Sequence, residues 1–181
     1  MLRVTICSQE RAAVLLSSRT SKKDFTDVVS IGSPESKPPK GFSRHPARKL
    51  RLEFDDTERT HSWYQAPTWE DVEKIISFAY DIDPQGHLLS HCAAGVSRSS
   101  AAAWIALCAA TPEPGSERLL LGHLRELFPE IWPNRRMVWM ADSLLHRDRV
   151  MIEAHREAWP SWEGDPPLED FRQLTRKGAE P

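Results

Sequence analysis

Four short stretches of the chain have the hydrophobic pattern of β-strands. Residues 2–6 and 50–54 alternate apolar and polar side chains, whereas residues 27–31 and 87–91 each have two consecutive apolar residues near their centre. Both patterns are typical of strands of four to eight residues. We therefore predict four strands, and the last of them runs directly into Cys92.

Helical periodicity fills the intervals between and after these strands. Ser8 is placed to cap a helix that continues to residue 16. Thr68, with a carboxylate three residues later at Asp71, caps a second helix that is expected to end near Tyr80. Residues 99–110 are apolar on nearly every side, which predicts a buried central helix. Three further helices are predicted over 114–128, 134–145 and 149–159.

Two segments lack this periodicity. Residues 32–49 contain four prolines and two glycines among scattered Lys and Arg, and this composition buries too little apolar surface to order itself, so a surface loop is predicted. Residues 160–181 are rich in proline and charge, although Trp162, Leu168 and Phe171 would let this tail pack as an arm. We therefore expect one domain over 1–159 and a C-terminal tail over 160–181.

The order of these elements indicates an α/β fold. Strands that alternate with helices predict a single domain with a central, mainly parallel sheet of four to five strands, flanked by helices on both faces. Ligands of such sheets bind beyond the carboxyl ends of the strands. Cys92 lies at such an end, which makes it the first candidate for chemistry.

Composition narrows the possible functions. The chain has 181 residues, 40% of them hydrophobic, which suits one domain with a substantial core. Its net charge of −2 argues against nucleic acid or an anionic membrane as a partner, and no apolar run is long enough to span a membrane. Because Cys7, Cys92 and Cys108 have neither disulfide nor metal-ligand spacing, we expect no metal, no other cofactor and a reducing, cytoplasmic setting.

The stretch from Cys92 to Arg98 has the properties of an anion-binding loop. Five residues separate the two side chains, and a loop of this size between a strand and a helix can turn its backbone N–H groups into one concavity. The positive end of the following helix favours a bound dianion and favours thiolate over thiol at Cys92. Arg98 offers a planar fork of donors suited to two phosphate oxygens, and Gly95 permits a backbone angle that a side chain would forbid.

The same segment resembles the His-Cys-x5-Arg-Ser/Thr signature of protein-tyrosine and dual-specificity phosphatases. It matches that signature at His91, Cys92, Gly95, Arg98 and Ser99, and the resemblance extends more weakly from about residue 4 to residue 145. The region that begins at 133–134 is similar to the later helical region of small bacterial tyrosine-phosphatase-like proteins. The resemblance implies a dual-specificity-phosphatase-like fold, a phosphatase domain over 1–159 and hydrolysis of phosphomonoesters.

The resemblance also implies roles for individual residues. Cys92 would be the nucleophile that forms a phosphocysteine, and Arg98 would clamp the phosphate. Ser99 would stabilise the thiolate as a leaving group, and His91 would orient the loop through hydrogen bonds. The phosphate would be bound by the residues of the loop, which are Ala93, Ala94, Gly95, Val96, Ser97 and Arg98.

A general acid is required as well, because the departing oxygen of the ester needs a proton. In the phosphatases that the chain resembles, this acid is an Asp on a loop after a strand. Asp55 and Asp56 directly follow the predicted strand 50–54, and alignment with the dual-specificity pattern favours Asp56 while leaving Asp55 open. Asp71 is the weaker candidate, since its place at a helix start already explains it.

Several other functions remain compatible with a cysteine loop of this kind. A non-catalytic phosphate-binding module of the same fold would need the loop and Arg98 but not the thiol of Cys92. A rhodanese-type sulfurtransferase also carries a Cys before a helix, usually in a shorter loop. A phosphoinositide phosphatase is disfavoured because Ala93, Ala94 and Val96 leave the loop without a Lys. The expected substrate is phosphotyrosine in a protein, with phosphoserine and phosphothreonine left open.

Overall fold

A parallel sheet runs through the part of the chain that the computed structural model describes, residues 2–18, 24–59, 61–111, 113 and 115–160. The strands described are β1 (Arg3–Ser8), β2 (Asp27–Gly32), β3 (Arg48–Glu53) and β4 (His87–Cys92). They form one four-stranded sheet in the order β1-β4-β2-β3, and every neighbouring pair is parallel. The prediction of an α/β fold with a parallel sheet of four to five strands is therefore confirmed.

Helices connect and follow the strands as the periodicity predicts. Those described are α1 (Gln9–Ser17), α2 (Trp69–Tyr80), α3 (Arg98–Ala110), α4 (Glu117–Leu127), α5 (Arg135–Leu144) and α6 (Val150–Ala158). The predicted caps are present, since Ser8 Oγ accepts from Arg11 N at 3.2 Å, and Thr68 and Asp71 form a capping box at the start of α2. The helix predicted from residue 114 begins later, because Gly115 has a φ of 100°, outside the helical range.

The two faces of the sheet carry apolar clusters of different size. Val28 and Leu89 face the smaller cluster, which includes residues of α1. Val29 and Leu88 face the larger cluster, to which helices α2 to α6 all contribute. Within α3 every residue but the last is buried, so the prediction of a central buried helix is confirmed. The C-terminal end of β4 and the N-terminus of α3 are therefore both buried, with Cys92 and Ser99 at most 1% exposed.

The prediction that residues 32–49 lack the apolar surface to order themselves is wrong. This stretch contains a 3-10 helix, Phe42–Arg44, and β3 already begins at Arg48, two residues before the predicted strand. Phe42 and Ala47 are buried in the smaller cluster, which also contains residues of α1. A few apolar residues are enough to order this segment because they pack against apolar side chains of other elements.

The described part of the chain ends at residue 160. Residues 161–181 lie outside the described residues, so the tail and its packing as an arm stay predictions. No helix in the described ranges combines the length and the apolar character needed to cross a bilayer. Cys7, Cys92 and Cys108 are all free thiols.

Candidate active site

The loop that joins β4 to α3 depends on glycine at one position. Gly95 has a φ of 83°, in the left-handed region that side chains disfavour. A Cβ at this position would also collide with the backbone of Cys7 and Ser8 at the end of β1. The backbone N–H of Gly95 points to the Sγ of Cys92 at 3.3 Å. The loop can therefore close over the cysteine only with glycine at this place.

Hydrogen bonds from three directions hold the backbone carbonyl groups of the loop. Gln9 N donates to Ala93 O at 3.1 Å, Trp132 N donates to Val96 O at 2.9 Å, and Asn134 N donates to the carbonyl of residue 97 at 3.3 Å. In a trans peptide the carbonyl and the following N–H point in opposite directions. The N–H groups of residues 94, 97 and 98 are therefore turned away from these partners, as an anion-binding nest requires.

The thiol of Cys92 lies buried at the bottom of this loop. The side chain is 1% exposed, and its Sγ lies 3.2 Å from the Oγ of Ser99 as well as 3.3 Å from the N–H of Gly95. Both neighbours can donate a hydrogen bond to sulfur, and such donors stabilise a thiolate more than a thiol. The geometry suits a sulfur that acts first as a nucleophile and then as a leaving group.

Arg98 starts α3 with its side chain beside the same loop. The guanidinium is 4% exposed, and Nη1 donates to the backbone carbonyl of Phe54 at 2.7 Å. Its Nε lies 3.7 Å from Oδ2 of Asp56. Because Phe54 directly follows β3, this hydrogen bond connects the loop after β3 to the start of α3. The contact fixes the plane of the fork that would receive a phosphate.

The two candidate acids have different surroundings. Asp56 points to the cysteine loop, where its Oδ1 accepts from Ser97 Oγ at 2.7 Å and from Asn134 Nδ2 at 3.1 Å. Asp55 instead pairs with Gln65, which accepts from Asp55 N at 2.7 Å and donates its own N–H to Asp55 Oδ2 at 3.0 Å. The carboxylate of Asp55 therefore stabilises its own loop, while that of Asp56 lies beside Arg98.

His91 is fully buried directly before Cys92. Burial lowers the pKa of its imidazole to about 4, helped by the charge of Arg51 and opposed by an interaction with the backbone of Cys92. Neither ring nitrogen forms a hydrogen bond of normal geometry with any residue that the structure describes. The expected orienting role through hydrogen bonds therefore stays a prediction.

The buried imidazole predicts a loss of stability in acid. The unfolded chain binds a proton at His91 below about pH 6.5, whereas the folded chain binds it only below about pH 4. Stability contributed by the neutral ring is present above pH 6.5 and is lost as the pH falls to 4, by about 3 kcal/mol. Urea unfolding of the wild type and of His91→Gln at pH 7 and pH 4 measures it. An equal decrease in both proteins would contradict the assignment.

The start of α5 contributes to the site in a way that the sequence pattern does not indicate. The sequence predicts Asn134 only as a helix start, and it does cap α5, but its amide also donates to Asp56. The next residue, Arg135, forms an ion pair with Glu58, with 2.6 Å between Nη2 and Oε2. The capping preference of Asn is visible in the sequence. Its second partner is 78 residues away, and no local pattern indicates it.

The last feature of the site concerns side chains that could bind a metal ion. Within the residues described above, no group of three or more His, Cys, Asp or Glu side chains is arranged to hold a metal ion.

Known proteins are similar to this chain in three-dimensional structure. No protein-family model matches the chain, and no curated protein matches its sequence. The Yvh1 phosphatase domain from Chaetomium thermophilum superposes with a TM-score of 0.53 and 20% identity, over 83% of this chain and 93% of that one. Human DUSP28 superposes with a TM-score of 0.56 and 15% identity, over 81% of this chain and 90% of that one. PTPMT1 in complex with PI(5)P superposes with a TM-score of 0.55 and 15% identity, over 86% of this chain and 91% of that one. The chain therefore has the fold of the dual-specificity and protein-tyrosine phosphatases.

Proposed function

We propose that this protein is a cysteine-dependent phosphatase that hydrolyses phosphomonoesters, with phosphotyrosine in proteins as the main substrate. One observation carries the proposal, namely the position of Asp56 beside the loop that begins at Cys92 and ends at Arg98. A nucleophile, a cation for the phosphate and a proton donor thus meet in one place. These are the three groups that transfer of a phosphoryl group to sulfur requires.

In the first step, the thiolate of Cys92 attacks phosphorus and the bond from phosphorus to the ester oxygen breaks. The N–H groups of the loop and the fork of Arg98 bind the phosphoryl oxygens, and they bind them best when the group is planar. Asp56 transfers its carboxyl proton to the departing oxygen, so that a neutral alcohol or phenol leaves. The sulfur is then part of a phosphocysteine.

In the second step, a water molecule attacks the phosphocysteine. The carboxylate of Asp56 removes a proton from this water, a bond from oxygen to phosphorus forms, and the bond from sulfur to phosphorus breaks. Ser99, 3.2 Å from the sulfur, stabilises the thiolate as it is released. Inorganic phosphate leaves, and both Cys92 and Asp56 have returned to their starting protonation states.

The other readings of the site are less well supported. A non-catalytic phosphate reader has no need for a sulfur with two hydrogen-bond donors around it. PTPMT1, a structural neighbour, was solved with the lipid PI(5)P, but the loop here has Ala93, Ala94 and Val96 where a Lys would be expected for such a headgroup. A cytoplasmic location belongs to the proposal, since a reducing setting keeps the thiolate active.

Hydrolysis of para-nitrophenyl phosphate in the presence of a chelator tests the proposal. Turnover that a chelator leaves intact supports the cysteine mechanism, whereas absence of turnover would favour a phosphate reader. Release of phosphate from phosphotyrosine, phosphoserine and phosphothreonine peptides and from PI(5)P then ranks the substrate classes. Faster turnover of the lipid than of any peptide would overturn the proposed substrate.

A further inference from the structure

Asn134 contacts two different parts of the site with the two ends of one amide. Its Oδ1 accepts from Met137 N at 3.1 Å and so caps α5, while its Nδ2 donates to Asp56 Oδ1 at 3.1 Å. The side chain is only 2% exposed. Because the helix N–H requires an acceptor, the cap determines the orientation of the amide, and the NH2 group must face the carboxyl of Asp56.

We propose that Asn134 is a positioning residue that determines which oxygen of Asp56 carries the catalytic proton, an inference that rests on the proposed function. Oδ1 of Asp56 already receives two donors, from Ser97 and Asn134. In a protonated carboxyl the carbonyl oxygen is the better acceptor, so two donors keep Oδ1 in the carbonyl form. The proton is thereby directed to Oδ2.

Oδ2 lies on the side of Asp56 where the departing ester oxygen would be. Oδ2 lies 3.7 Å from Nε of Arg98, the group that would bind the phosphate. When a phosphate dianion pairs with Arg98, the negative charge of the dianion favours a proton on the oxygen that faces it. The proton of Asp56 would then lie on the side of the departing ester oxygen. A proton on Oδ1 would instead face Ser97 and Asn134, away from the reaction.

The loop that carries Asp56 is also held independently of Asn134. Two residues after the acid, Glu58 accepts from Arg135 N at 3.2 Å and from Arg135 Nε through Oε2 at 2.8 Å. The two side chains of this ion pair are 18% and 14% exposed. A substitution at Asn134 can therefore change the protonation of Asp56 without releasing the whole loop.

The test is Asn134→Asp, which keeps a good helix cap but replaces the donor by a carboxylate. The new carboxylate would share a proton with Asp56 and attract it to the wrong side. Turnover of phenyl phosphate is expected to fall roughly tenfold or more, because a proton that faces away from the departing oxygen forfeits part of the contribution of the general acid. Turnover of para-nitrophenyl phosphate should fall much less, because its leaving group needs little protonation. The basic limb of the kcat profile should move to higher pH, since a neighbouring negative charge favours the protonated pair.

A double-mutant cycle separates positioning from general damage. In an Asp56→Asn background, Asn134→Asp should have no further effect on the ratio of the two esters. An equal loss for both esters, or an undiminished loss without Asp56, overturns the inference and leaves the proposed function intact. Absence of turnover in the wild type overturns the proposed function and the inference together.

Asn134→Ser provides a second variant, which retains a capping hydroxyl but lacks the amide donor. It should lower turnover of phenyl phosphate more than turnover of para-nitrophenyl phosphate. An unchanged ratio of the two turnover rates counts against the inference.

Discussion

Replacing Cys92 with serine is expected to lower turnover of para-nitrophenyl phosphate by roughly a thousandfold or more. A hydroxyl in the same place is far less acidic than a thiol, so the loop would hold a neutral group that attacks phosphorus poorly. The N–H donors of the loop and Arg98 are unchanged by the substitution. Binding of inorganic phosphate, measured by calorimetry, should therefore persist. Retained turnover in Cys92→Ser would exclude the phosphocysteine mechanism.

Cys7→Ser provides the matched control. Cys7 lies on β1 beside β4, but its side chain packs against the smaller cluster on the α1 face, whereas Cys92 belongs to the larger cluster. Burial raises the pKa of the Cys7 thiol to about 12, so it stays protonated near neutral pH. We expect nearly full turnover in this variant. An equal loss in both serine variants would point to a general effect on the sheet end instead of a nucleophile.

The elements of the fold could be predicted because their signals are local. The strand pattern at 87–91 and the capping pair Thr68 and Asp71 each lie within one element, and both appear in the structure where the sequence pattern predicts them. The segment 32–49 differs because its order depends on contacts with other elements. Phe42 is buried in a cluster to which α1, β2 and β4 contribute, and a composition that resembles a loop does not reveal this.

In the candidate site, too, relations between residues close in sequence could be predicted, and relations between distant residues could not. Cys92, Gly95 and Arg98 are close in sequence, so one motif contains their relation. The relation of Asp56 to the loop required a resemblance, because Asp56 follows a different strand. Asn134 could not be predicted as a partner of Asp56, since a capping Asn has the same sequence signal whether or not its amide has a second contact.

Replacing Asp56 with asparagine is expected to slow phosphoryl transfer by roughly a hundredfold or more, because the amide has no proton to give at this position. The change is nearly isosteric, and the amide oxygen can still accept from Ser97 and Asn134. Arg98 and the nest are unchanged, so phosphate binding should be nearly unaffected. The loss should be larger for phenyl phosphate than for para-nitrophenyl phosphate, whose leaving group is more stable as an anion. Steady-state kinetics with both esters measures the difference.

The pH profile of kcat then identifies the acid between the two adjacent aspartates. The basic limb reports an acid that must stay protonated, so it should flatten in Asp56→Asn and persist in Asp55→Asn. The second variant should be mild, because the amide oxygen can replace the carboxylate oxygen that accepts from Gln65 N at 3.0 Å. A basic limb that flattens only in Asp55→Asn would make Asp55 the acid and require the loop to rearrange when substrate binds. A limb unchanged in both variants would mean that neither carboxyl donates the proton, and the position of Asp56 beside Arg98 would then serve only to hold the loop.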